Sequence, residues 1–123
     1  EDGPVDIVYT VTLDSSNDTG SAITFDIDDA GGSATSGSDY TAIGASDTID
    51  VAVGATTGTY TVTVTDDTLL ESTETVDATI SNPSSSSVTI GTASATANIT
   101  DDDTTAANFA VTTDGKEDGP VDI

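Results

Sequence analysis

The sequence predicts an all-β chain, an Ig-like antiparallel sandwich of about seven strands. Three observations carry that expectation. Apolar residues recur with period two along most of the chain. Thr fills many of the alternate positions, as suits a β-branched residue on the wet face of a sheet. The breaks between runs hold Gly, Asn, Asp and Pro, the residues of turns, and no window shows a helical stripe.

The first run places Val5, Ile7, Tyr9, Val11 and Leu13 on one face, with Asp6, Thr10 and Thr12 between them. Ile23, Phe25 and Ile27 form the second, and Ile49, Val51 and Val53 the third. Tyr60, Val62 and Val64 follow, then Val76, Ala78 and Ile80, then Ala93, Ala95, Ala97 and Ile99. Asn17-Asp18-Thr19-Gly20, Ala30-Gly31-Gly32, Gly54 to Gly58 and Asn82-Pro83-Ser84 read as turns. A seventh strand is expected at Phe109–Thr112, with Phe109 and Val111 facing inwards.

One phrase occurs twice. Glu1-Asp2-Gly3-Pro4-Val5-Asp6-Ile7 returns unchanged as Glu117-Asp118-Gly119-Pro120-Val121-Asp122-Ile123, an offset of 116 residues. That is the size of a small domain, so the chain reads as one period of a tandem array. Such arrays supply length, stiffness or many binding sites. In this frame Phe109–Thr112 sits just ahead of the second phrase and belongs to the following unit. Residues 1–103 would form a sandwich lacking its own first strand. Residues 104–123 would be a linker and the start of the next repeat. The 107–112 segment then has three fates: folding back, exchange between chains, or leaving a bare edge.

Charge narrows the function. Of 123 residues, 23 are acidic and only Lys116 is basic, a net charge of −22. Nucleic acid and anionic membranes both require Lys and Arg, so neither is an expected partner. Four of the acids are Glu and the rest Asp, whose short carboxylate suits loops and metal shells. Without Cys there is no disulfide or thiolate site, and without His the usual general base and zinc ligand are missing. No run approaches the ~20 apolar residues of a membrane span, and no signal peptide opens the sequence. The composition fits both secretion into calcium-rich water and a salt-adapted organism.

Four acidic clusters interrupt the alternation: Glu1-Asp2; Asp39 in Gly37-Ser38-Asp39-Tyr40; Asp66-Asp67 with Glu71 and Glu74; and Asp101-Asp102-Asp103. Two of them directly follow the runs ending at Val64 and Ile99. In an up-and-down reading those ends share one pole. Six or more carboxylates there would repel strongly, and a hard cation with oxygen ligands is the remedy. Ca²⁺ accepts six to eight oxygens in irregular geometry, whereas Mg²⁺ demands a tighter octahedron.

These residues resemble the Calx-β domain, found in sodium–calcium exchangers and in tandem in large bacterial surface adhesins. Gly32-Ser33-Ala34-Thr35-Ser36-Gly37-Ser38-Asp39-Tyr40 is similar to the family's Gly-Thr-Ala-x-x-Gly-Ser-Asp-Tyr stretch. Asp66-Asp67-Thr68-Leu69-Leu70-Glu71-Ser72-Thr73-Glu74 is similar to its Asp-Asp-x-x-x-Glu-x-x-Glu loop. Ala97-Asn98-Ile99-Thr100 with Asp101-Asp102-Asp103 resembles its closing strand and Asp triplet, and Glu1 sits where the family has a Glu. Val76 departs from the usual aromatic, and Gly54-Ala55-Thr56-Thr57 from the usual Pro-Gly-Glu turn. The resemblance implies bound Ca²⁺, more than one ion, held by Glu1, Asp39, Asp66, Asp67, Glu71, Asp101, Asp102 and Asp103. It implies that Glu74 either ligates or supports the loop.

Plainer readings stand beside these. The acidic loops could be solvated charge, and Asp39 could cap a turn beside Tyr40. Asp26, Asp28, Asp29, Asp47 and Asp50 read as surface charge. Asn17-Asp18-Thr19 and Asn98-Ile99-Thr100 fit the glycosylation sequon. Paired carboxylates can hydrolyse glycosides, but the chain has no Trp to hold a sugar, so it is not expected to be an enzyme. The resemblance and the repeat together suggest a calcium-stiffened extender of a giant secreted bacterial adhesin, of the type exported by a dedicated type I system. Such a unit would lie at the cell surface with copies of itself as partners and without a small-molecule substrate, and it would project a distal tip. The alternative is a regulatory calcium sensor of exchanger type.

Overall fold

Six antiparallel strands build the domain in the computed structural model, which describes residues 5–66, 69–101 and 103–117. They are β1 (Ile7–Thr12), β2 (Ile23–Gly31), β3 (Thr48–Val51), β4 (Thr57–Val62), β5 (Glu74–Ser81) and β6 (Ser94–Ile99). β1 pairs with β4 in a two-stranded sheet, and the other four form a sheet of order β3-β2-β5-β6. The all-β, Ig-like sandwich is thus observed, with the β1–β2, β3–β4 and β4–β5 connections crossing between sheets rather than all strands running up and down.

Alternation puts the core where the sequence indicates. Ile7 and Tyr9 of β1 and Val62 of β4 meet Ile27, Val76, Ala78 and Ile99 of the larger sheet, with Tyr40 and Val64 sealing the end. Further along, Ile23 and Phe25 pack on Ile49 and Val51. Each fully buried side chain of this size is worth about 1.5–3 kcal/mol of transfer free energy. Polar anchoring comes from Asn17, which is 2 % exposed. Its amide donates to the Ser21 and Val51 carbonyls at 2.8 and 3.0 Å, and its Oδ1 accepts from Thr19. With that amide consumed inside the fold, Asn17 is not a glycosylation acceptor in the native state.

Several expectations change. Ala30-Gly31 continues β2 instead of ending it; the pairing with β5 shifts between Asp29 and Gly31, and Gly31 and Gly32 take φ of 104° and 100°. Glycines chosen for positive φ serve here as a bulge that turns the strand end rather than as a loop. β3 stops at Val51 and leaves Val53 exposed, and Val5 is exposed ahead of β1. Val64 lies beyond β4, in an isolated bridge to Tyr40.

The seventh strand is not formed. Among the described residues no strand follows β6, and Phe109 and Val111 stand fully and largely exposed rather than facing inwards. Among the described residues no strand runs alongside residues 109–112 to share a ladder, so their apolar side chains stay in water. Ala93 and Ala95 were read as part of an inward face, and they too remain exposed because no strand of the smaller sheet covers them.

Candidate metal centre

The acidic pole is assembled by backbone hydrogen bonds around Tyr40. The Thr35–Tyr40 turn closes through N–H donations from Ser38 and Asp39 to the Thr35 carbonyl, at 3.1 and 2.8 Å. Gly37, at φ 85°, donates to the Tyr40 carbonyl. Thr65 then donates to the Asp39 carbonyl at 3.0 Å, and Thr41 to Thr63 at 2.8 Å. This fixes Asp39 beside the segment that leaves β4, where Asp66 lies exposed.

The second half comes from β5 and β6. Glu74, the first residue of β5, is the register partner of Ile99, the last of β6. The Glu71 N–H donates to Asp101 Oδ2 at 2.5 Å, and the Asp103 N–H to Asp101 Oδ1 at 3.0 Å. These donors, Glu71 first and Asp103 second, hold the Asp101 carboxyl below its ordinary range. Asp101 therefore braces the loop with both oxygens.

Asp39, Glu71 and Glu74 each present a carboxylate oxygen, and the three oxygens lie within 4.8 Å of one another. All three residues are half-buried. Ca²⁺–oxygen distances of about 2.3–2.6 Å let two ligands of one ion stand up to about 5 Å apart, so the spacing fits a shared hard cation. Glu74 is thereby brought into the group rather than left behind it. The plainer reading of Asp39 is observed: its Oδ2 accepts from the Thr35 N–H at 2.7 Å, capping the turn. Asp66, Asp101 and Asp103 stand outside this group of three among the described residues. Glu1, Asp67 and Asp102 lie outside the described residues.

Two carboxylates read as surface charge turn out to be partners of core tyrosines. The Tyr40 hydroxyl donates to Asp29 Oδ2 at 2.5 Å, and Asp29 Oδ1 accepts from the Gly31 N–H at 2.8 Å. Tyr60 donates to Asp47 Oδ2, which also accepts from Gly44 at 2.9 Å. The signal was present: a Tyr on an inward face must place its hydroxyl against an acceptor, and a chain with 23 acidic residues offers carboxylates widely. Tyr9 meets the same demand on the Val76 carbonyl at 2.7 Å.

Carboxylates gathered from three chain segments at one end of a β-sandwich define a class: an all-β domain with an acidic pole. The chain belongs to the Calx-beta domain family, whose model matches residues 1–103. That family is one of calcium-binding domains. Two solved structures share the fold. The crystal structure of CBD12 from CALX1.2 superposes with a TM-score of 0.64 at 22 % identity, covering 80 % of this chain and 38 % of that one. The calcium binding domain CBD12 of CALX1.1 gives 0.63 at 23 %, with the same coverage. The chain thus spans about two-fifths of the length of these relatives. No curated protein matches it.

Proposed function

We propose that this domain binds Ca²⁺ at the acidic pole and uses it to order the loops there. The observation that carries the proposal is the convergence of Asp39, Glu71 and Glu74 oxygens within 4.8 Å. Bound calcium would supply positive charge and six to eight coordination positions for oxygen. Asp39, Glu71 and Glu74 would hold it directly. Asp66 and Asp103 flank them, and Asp101 fixes the Glu71 backbone. The family motif adds Glu1, Asp67 and Asp102, and with them room for more than one ion. When the pole is bare, carboxylates a few ångströms apart repel and the loops open; neutralised, they close against Tyr40 and the chain leaves the domain in a fixed direction. Nothing in the group calls for catalysis, since no His or Cys is available as base or nucleophile.

Two uses of such a site are distinguishable. The structural relatives favour a regulatory sensor, because one is a calcium binding domain and both sit within chains more than twice the matched length. The repeated seven-residue phrase favours an extender of a secreted bacterial surface protein, with neighbouring copies as partners and calcium stiffening each joint. Affinity separates them. A sensor works at about 10⁻⁷–10⁻⁵ M, and an extracellular module at about 10⁻⁴–10⁻³ M. The test is a series of thermal melts in EDTA and over a calcium range, with magnesium as control. A rise that saturates at micromolar calcium supports the sensor, and one that continues into the millimolar range supports the extender. No rise at any concentration removes the calcium proposal.

A further inference from the structure

The two sheets leave an open groove of about 740 Å³ between the outer edge of β1 and the inner face of β5 and β6. Its floor includes Phe25, Ile27, Ala78 and Ile80, and its far wall includes Ala93 and Ala95. Ala95 is the register partner of buried Ala78, so both point to the same side of the sheet, yet Ala95 is exposed. β1 pairs with β4 along one edge and with no strand along the other among the described residues. Its outer backbone is a ladder without a partner beside apolar surface without a cover.

The same chain carries a segment that fits. Phe109 and Val111 alternate with Ala110 and are 103 % and 74 % exposed. Six extended residues, 107–112, cover about 20 Å, the length of the six-residue β1. The segment 104–113 holds no charge, and Asp14 and Asp18 are the only acids lining the groove. Elsewhere on a chain of charge −22 a second copy would be repelled; here an uncharged segment would meet a groove with two acids in its lining. The repeated phrase also sets 107–112 one short connection ahead of a sequence that, in its first occurrence, leads into β1. Antiparallel neighbours commonly follow one another in that way.

We infer that this groove is a docking site for the 107–112 segment of a second copy of this chain, added as a strand to the outer edge of β1 with Phe109 and Val111 turned onto the groove floor. Strand addition of this kind takes affinity from main-chain hydrogen bonds and specificity from alternate side chains. Two copies can exchange segments reciprocally, or each can donate to the next in an open chain. In a tandem array the segment just ahead of each repeated phrase would take that place.

The test is sedimentation equilibrium of the full chain in millimolar calcium and salt near 0.15 M, where the Debye length is about 8 Å. The expected species has a mass of about 24.4 kDa or more, twice the 12.2 kDa of one chain. Phe109→Asp removes the donor and Ala95→Asp blocks the acceptor; both positions are exposed, so the fold of either variant should persist, as its melting curve will show. Each alone is expected to sediment at 12.2 kDa. Mixed, they should regain a heterodimer, because one intact groove meets one intact segment. A wild-type monomer at all concentrations overturns the inference. So does a dimer indifferent to Phe109→Asp, or a pair of variants that stay monomeric when mixed, as folding back within one chain would require.

Discussion

The Glu71 N–H donates to Asp101 Oδ2 at 2.5 Å, joining two segments 30 residues apart in sequence. That bond decides where the Glu71 carboxylate can point. Asp101→Ala should free the loop, because the charge-assisted hydrogen bond that holds the Glu71 backbone is lost. Amide hydrogen exchange at Glu71 should speed up while exchange in β2 stays slow. Unchanged exchange at Glu71 would show that the bond does not hold the loop.

Glu71→Gln separates a ligand from a structural prop. In EDTA the variant should melt at or above the wild type, because one repelling charge is gone. In calcium it should lose affinity by tenfold or more, about 1.4 kcal/mol, and its melting point should rise less than that of the wild type. Isothermal titration of calcium into both proteins is the direct check. Equal affinities would remove Glu71 from the site.

Alkali should unfold the domain in a defined window. Burial first, then the Asp47 hydrogen bond, pushes Tyr60 up to about 12. Burial, then the Asp77 and Asp29 carboxylates, pushes Tyr9 up to about 12. Unfolded tyrosine titrates near 10. The raised groups therefore contribute stability that is full below pH ~10 and lost as pH climbs towards ~12. With three tyrosines and no tryptophan, phenolate absorbance reports this directly. Tyr60→Phe should lose part of the late-titrating signal and flatten the decline.

Gly58→Ala probes how closely the sheets are drawn together. A Cβ there would sit 2.0 Å from the Asp50 carbonyl oxygen, so β3 and β4 would have to part. A loss of about 2–4 kcal/mol is expected, at the upper end for single substitutions. Gly54→Ala makes a useful contrast, because open space surrounds that position and only its positive φ of 84° opposes the change. Its cost should be nearer 1 kcal/mol. Urea denaturation of both variants checks the order.

Much of this was legible from period two alone, because each strand buries one face. Ile23, Phe25 and Ile27 are all buried as the alternation requires. The acidic pole was legible too, since Asp39, Glu71 and Glu74 stand in motifs whose spacing survives in three dimensions. What alternation cannot reveal is whether a partner strand exists. Phe109 and Val111 alternate as well as Ile23 and Phe25 do, yet they lie in water because burial needs something to be buried against. Nor does the pattern mark Asp29 and Asp47, whose roles depend on which tyrosine hydroxyl arrives across the fold. Gly31-Gly32 looked like a stop and is a bulge, since positive φ serves either purpose.

Asp39, Glu71 and Glu74 come from segments that an unfolded chain lets wander freely, and there is no cysteine to tether them. A cation held between Asp39 and Glu74 would close a loop of about 35 residues, comparable in entropy to a cross-link worth roughly 3–4 kcal/mol. Unlike a disulfide, it could be undone by dilution alone and remade without any redox partner. The domain would carry a staple whose presence is set by the solution outside it.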